Sequence, residues 1–184
     1  MLRGGVASAP THALIGAAIG LIAGTWVAPE SPRLRRWLPA WAALAAVLPD
    51  ADVIMHAWVA YSHPFGHRGA FHSIGFYVVA AAASAALAGR GGQRALIAVT
   101  LFSALLSHSL LDMLTNGGLG IALFWPLDGT RLFLPWRPIP VSPIGIGRFF
   151  GAWGLRVLRV ELAFALPLFA GAIVLRKAVD RRAR

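Results

Sequence analysis

Apolar side chains fill five long stretches of this chain, and polar residues collect where those stretches end. The runs cover 11–28, 38–48, 70–88, 95–114 and 152–175. A helix needs roughly 20 apolar residues to cross the hydrocarbon core of a bilayer, and several runs approach that length. Pro10 opens the first run and Pro29 closes it. A signal peptide competes for this run, but only Arg3 supplies the basic flank. Trp26 stands where a small residue should precede a cut, and His12 interrupts the mouth of the apolar region. The second run is short unless flanking residues extend it, and it stops at Pro49-Asp50-Ala51-Asp52. A loop with His, Pro and Gly follows over 56–69. The Ala-rich third run suits close helix packing in lipid, and a tight basic turn separates it from the fourth. Residues 116–127 read as a glycine-broken segment that stays at the membrane surface or re-enters it, and 128–151 as an interfacial loop rich in Pro and aromatics. The pattern predicts an all-α, polytopic integral membrane bundle of about five spans in one domain, with a short N-terminal tail over 1–10 and a basic tail over 176–184.

Composition agrees. The 184 residues are 58% hydrophobic and only 13% charged, with a mean hydropathy of +0.68, too apolar for a soluble domain of this size. Absence of cysteine excludes thiolate metal sites, iron–sulfur clusters, disulfides and Cys nucleophiles. The net charge of +10 would point to nucleic acid in a soluble protein. Here the basic residues lie mostly in loops and tails, so membrane topology and anionic lipid explain them, and no nucleic acid or obligate protein partner is expected. With five spans, Arg33, Arg35, Arg36, Arg90, Arg94 and the tail fall on one side. That side is expected to be cytoplasmic in a bacterial inner membrane, placing the N-terminus outside.

A further consequence of alternation does not depend on that orientation. His12 starts the first run, Asp50 and Asp52 end the second, His67 and His72 flank the start of the third, and His108 and Asp112 approach the end of the fourth. All seven are expected at the same membrane face. Ionisable groups this close to lipid are expensive and by default mark function.

His108 and Asp112 are four apart, on one helical face, where they can share a metal ion or a proton. Imidazole and carboxylate together suit zinc, manganese or ferrous iron, zinc being the usual hydrolytic choice. Such a site would bring the pKa of bound water to about 7. Seven residues suffice for one or two ions, with outer carboxylates or a general base. Each piece also has a plainer reading: a packing pair for His108 and Asp112, turn or cap residues for Asp50 and Asp52, an interfacial histidine for His12. If the third helix begins only at Ala70, His67 stays on the loop and is free to converge with His72. His56 and His63 have no partner by spacing. Ser73 and Ser109 adjoin histidines, but neighbouring residues on a helix do not face one another.

Thr11-His12, Leu48-Pro49-Asp50-Ala51-Asp52, His67-Arg68-Gly69-Ala70-Phe71-His72-Ser73, Ser107-His108-Ser109-Leu110-Leu111-Asp112-Met113-Leu114-Thr115 and Phe124-Trp125-Pro126-Leu127 together resemble the bacterial family of membrane-bound, metal-dependent hydrolases that includes LexA-regulated inner-membrane members. The resemblance covers most of the chain from Thr11 to Leu127 and implies a metal-dependent hydrolase of undefined substrate. The order His, Asp, His, then His-x-x-x-Asp is also similar to the ligand order of zinc-dependent phospholipase C and the S1/P1 nucleases. That likeness implies His12, Asp50 or Asp52, His67 or His72, His108 and Asp112 as ligands. No His follows Asp112, so the full trinuclear set of those enzymes has no counterpart.

The expected arrangement is a membrane hydrolase acting on a phosphoester or acyl bond of a lipid or lipid-linked substrate. His12, Asp52, His67, His72, His108 and Asp112 would bind zinc or manganese, with Asp50 as base or outer carboxylate. Arg68 would clamp an anionic group, and Arg156 and Arg159, three apart on the last helix, would bind substrate phosphate unless they only snorkel. Glu161 is expected to pair across helices. The rival is a transporter or metal-ion permease using the same cluster, against which stands the placement of these residues at helix ends rather than at the midplane between repeats.

Overall fold

The computed structural model describes residues 5–27, 30–143 and 150–182. Its helices are α1 (Ala9–Ala23), α2 (Pro32–Val47), α3 (Ile74–Ala88), α4 (Gln93–Met113) and α5 (Ala152–Arg182). Short 3-10 stretches extend α1 over Gly24–Trp26 and α2 over Leu48–Ala57. With these extensions, α1, α2, α4 and α5 are each long and apolar enough to cross a membrane. The third run is the exception. Its first residues form a separate 3-10 turn, Ala70–His72, and the α-helix starts only after Ser73, whose hydroxyl caps it by accepting the Phe76 N–H. The 15-residue α3 rises about 22 Å, short of the roughly 30 Å core.

The bundle packs α1 on α2, α4 and α5, and α4 on α1, α2 and α3. Small residues set the closest approach. A Cβ on Gly16 would meet the Ala42 carbonyl and the Ala46 methyl; one on Gly20 would lie 2.5 Å from Pro39 Cα. This small-xxx-small stripe lets α1 and α2 backbones touch where lipid offers no hydrophobic drive for association. Gly20→Val should therefore cost about 1–3 kcal/mol by overpacking, read as earlier thermal unfolding in detergent; Gly171→Val, at a position in open space, should leave the midpoint in place.

At the basic end one backbone defect is repaired by a side chain. Pro39 lies inside α2 and has no N–H to give to Arg35. Arg176 of α5 donates to that Arg35 carbonyl at 3.1 Å, and Gly24 leaves room for its guanidinium. Arg35 in turn pairs with Asp180.

The opposite end gathers the start of α1, the end of α2, the approach to α3, the end of α4 and the start of α5. The segment after α4 lies across it. Ile74 N–H donates to Leu123 O, Ala122 N–H to Arg68 O, and Leu134 N–H to Met113 O, so 119–134 is stitched to the helix ends. Gly5–Val6 pairs antiparallel with Ser142–Pro143, fixing the chain that enters α1. Part of the expected 128–151 loop, residues 144–149, lies outside the described residues.

Candidate metal centre

Each wall of the site follows from a local feature of the chain. His12 sits in the first turn of α1, and Thr11 and His12 are both buried there. Two carboxylates hold that turn. Ala7 N–H donates to Asp112 Oδ1 at 2.9 Å, and Ser8 N–H donates to Glu161 Oε1 at 2.9 Å. The Ser8 hydroxyl also donates to Glu161, as does the Thr11 hydroxyl at 2.9 Å. Glu161 is fully buried on α5, so the last helix clamps the start of the first.

Asp50 and Asp52 both lie on the Leu48–Ala57 stretch, and its geometry separates them. With three residues per turn, positions two apart project about 120° apart. Asp52 turns to the loop: its Oδ1 lies 2.6 Å from His67 Nδ1 and its Oδ2 3.1 Å from His72 Nδ1. Asp50 turns to α4: its Oδ1 is 3.5 Å from His108 Nε2 and 3.8 Å from His72 Nε2. Asp50 therefore joins the inner cluster with His108 and Asp112, while Asp52, expected as a ligand, groups with His67 and His72.

On α4 the four-residue spacing delivers what it promised. His108 Nε2 and Asp112 Oδ2 are 3.8 Å apart. His108 Nδ1 is 2.7 Å from the Ala46 carbonyl, which can only accept, so the proton is on Nδ1 and the Nε2 lone pair faces inward. His72 Nε2 points at that lone pair from 3.1 Å. Burial alone would push the His72 imidazole down; Asp50 and Asp52 outweigh it and hold the group up at about 9. Tyr77 supports this arrangement from α3: its hydroxyl is 2.5 Å from Ser109 Oγ, which donates to the His72 carbonyl at 2.9 Å.

Asp50, His72, His108 and Asp112 thus each offer one ligand atom, all within 4.8 Å of one another. Five of the six separations among these atoms lie between 3.1 and 4.0 Å. Tetrahedral coordination at about 2.0–2.1 Å needs ligand atoms roughly 3.4 Å apart, inside that interval. Asp50 Oδ1 is buried without a hydrogen bond among the described residues, a state expensive for a carboxylate unless a cation neutralises it. The donor set therefore fits a divalent ion. A second group, Asp52, His67 and His72, shares His72 with the first.

His12 stacks on His108 with ring centroids 3.8 Å apart, and its Nε2 is 3.6 Å from Asp112 Oδ1. It adjoins the four without being one of them, and neither of its nitrogens is hydrogen-bonded among the described residues. All these side chains are closed off except that of Asp50, which keeps 13% exposure and marks the mouth of the site.

Arg68 departs from expectation. It is fully buried with a left-handed backbone, φ 64°. Its Nε donates to Asp112 Oδ2 at 3.1 Å, Nη2 to Thr115 Oγ1 at 3.0 Å and Nη1 to the Gly117 carbonyl at 2.9 Å. The fork that was to clamp an anion is spent inside the protein, holding Asp112. Arg156 and Arg159 are not brought to the site either. The inward stripe of α5 is Gly154, Val157, Glu161, Ala165 and Ala172, so both arginines face outward, Arg156 lying over the Trp153 ring. His63 is exposed and accepts from Phe65 N–H; the His56 side chain lies outside the described residues. Glu161 pairs across helices as expected, and its partners are Ser8 and Thr11 at the start of α1.

No solved structure matches the chain. Over 155 residues it is 42% identical to the inner membrane protein YbcI of Escherichia coli (strain K12), a match covering 83% of this chain and 86% of that one. The family described as YdjM inner membrane protein matches residues 8–183. A helical membrane bundle whose cluster-bearing helix ends all lie inside that match belongs to the YdjM inner membrane protein family.

Proposed function

We propose that this protein is a metal-dependent hydrolase of the inner membrane, acting on a phosphoester or acyl bond of a lipid or lipid-linked substrate. The observation that carries the reading is the meeting of Asp50, His72, His108 and Asp112 at one end of the bundle, with ligand atoms at coordination spacing and Asp50 Oδ1 without a hydrogen bond among the described residues. Zinc, or manganese, would be held there and would supply Lewis acidity and an acidified water. The Ala46 carbonyl fixes the outward nitrogen of His108, and the Asp52 carboxylate lies 3.1 Å from that of His72, the outer-shell placement that orients ligating imidazoles. Arg68 and Ala7 N–H fix the two oxygens of Asp112. His12, stacked beside the group with neither nitrogen hydrogen-bonded among the described residues, is the base placed to take a proton. The apolar residues Leu48, Ile54 and Trp58, exposed on and beside the Asp50 stretch, suit a substrate presented from lipid. We place this end at the outer face because the opposite end carries more of the basic residues.

The permease reading is disfavoured by position, since translocation sites sit near the midplane of broken or repeated helices. Purified protein reconstituted in vesicles of mixed phospholipids should release phosphate or fatty acid on addition of zinc or manganese and stop on chelation. Metal accumulation inside the vesicles without any hydrolysis would replace the enzyme by the permease; metal binding with neither would overturn both.

A further inference from the structure

Two grooves open at the basic end, far along the bundle from the His/Asp cluster, each of about 680 Å³. One runs along the start of α2 past Trp37 and Trp41; the other runs between the end of α1 and α4 past Trp26, Leu96 and Val99. They share three residues, Leu34, Arg90 and Gln93, so the turn carrying Arg90 is the ridge where they meet. Arg33 stands on the rim of the first groove. Arg33 and Arg90 are exposed, and their side chains form no hydrogen bond, ion pair or ring contact with any described residue, in contrast to those of Arg35, Arg94 and Arg176 at the same end. Glu30 lies on the same rim and pairs with neither.

The geometry points to a binding site for an anionic glycerophospholipid, its phosphate held by Arg33 and Arg90 and its two acyl chains laid in the two grooves. Three properties favour that occupant. Two grooves that diverge from one cationic ridge, apolar along Trp37 and Trp41 in the first and along Leu96 and Val99 in the second, match a molecule with one anionic head and two tails. Trp26 and Trp37 are 70% and 51% exposed at this level, where indole rings favour the headgroup boundary of a bilayer. Basic pockets between membrane helices are a recurring headgroup site, with attraction of about 1 kcal/mol per Arg or Lys near an anionic surface. Ser31 and Gln93, bonded to each other at 2.6 Å, put further polar atoms on the first groove. This site does not depend on the metal reading.

Native mass spectrometry of the intact, detergent-purified chain tests it, with phosphatidylglycerol, cardiolipin or phosphatidylethanolamine added. Retention of the two anionic lipids over the zwitterionic one is expected. Arg33→Gln and Arg90→Gln should each weaken retention about five-fold, whereas Arg181→Gln, at the same end but off the grooves, should change it less than two-fold. Thermal unfolding of each variant checks that the fold persists. Equal retention of all three lipids would overturn the proposal. So would equal loss in all three variants, which would reduce it to diffuse surface charge, or full displacement by inorganic phosphate, which would leave the grooves without a role. A second copy of the chain on the grooves, read as a dimer whose formation excludes lipid, would overturn it too.

Discussion

His108→Ala should abolish stoichiometric metal in a protein that, as purified or after incubation with zinc or manganese, carries it. The imidazole supplies the inward Nε2, pinned by its Nδ1–H to Ala46 O, and it is the ring on which both His12 and His72 converge. Losing an outer partner of a metal site costs roughly 10–100-fold in affinity; losing a ligand should cost more. Elemental analysis gives the metal content, and thermal unfolding with and without chelator gives the linkage. A wild-type midpoint that falls on chelation, and a variant midpoint that no longer responds, is the expected pair of results. His63→Ala, at an exposed loop histidine, should behave as wild type. A folded wild type that neither retains nor takes up metal would sink the metal centre altogether.

Arg68→Met should be the most destabilising single change in the metal-free protein. The guanidinium and the Asp112 carboxylate are both fully buried and 3.1 Å apart. Removing one member of such a pair strands the other charge, at a cost of about 3–5 kcal/mol. Methionine keeps apolar bulk but leaves Thr115 Oγ1 and Gly117 O without their donor. Adding Asp112→Asn to Arg68→Met removes the stranded charge, so the double variant should recover part of the loss in metal-free thermal unfolding. If the single variant unfolds with the wild type, Arg68 does not hold Asp112. A metal-restored sample should narrow the gap, because a cation can neutralise Asp112 in place of the arginine.

Much of this arrangement is legible in the chain before any coordinates. Alternating spans put His12, Asp50, Asp52, His67, His72, His108 and Asp112 at one end, and the helix ends do converge there. What the pattern could not supply was phase. Asp50 and Asp52 fall into two different groups, one toward α4 and one toward His67, because the stretch carrying them is wound at three residues per turn, and apolar content does not distinguish that winding from an α-helix. Arg156 and Arg159 face away because the inward stripe of α5 runs through Val157 and Glu161; taken as a helical period, that lone glutamate would have revealed it. Arg68, expected to clamp an anionic group, instead holds Asp112, and nothing in its neighbours announces the left-handed backbone that folds it there. The third run fell short of a full span because Ser73 starts the helix later than its apolar content implies.

The clamp between Glu161 and the residues ahead of α1 has a bearing on how the protein is made. Residues that hold Asp112 and aim His12 leave the ribosome long before their partner, which lies 153 positions after Ser8. Until α5 enters the bilayer, Ser8 and Thr11 lack the carboxylate that fixes the first turn of α1. The cluster is thus complete only once α5 has been made and has met the segment ahead of α1.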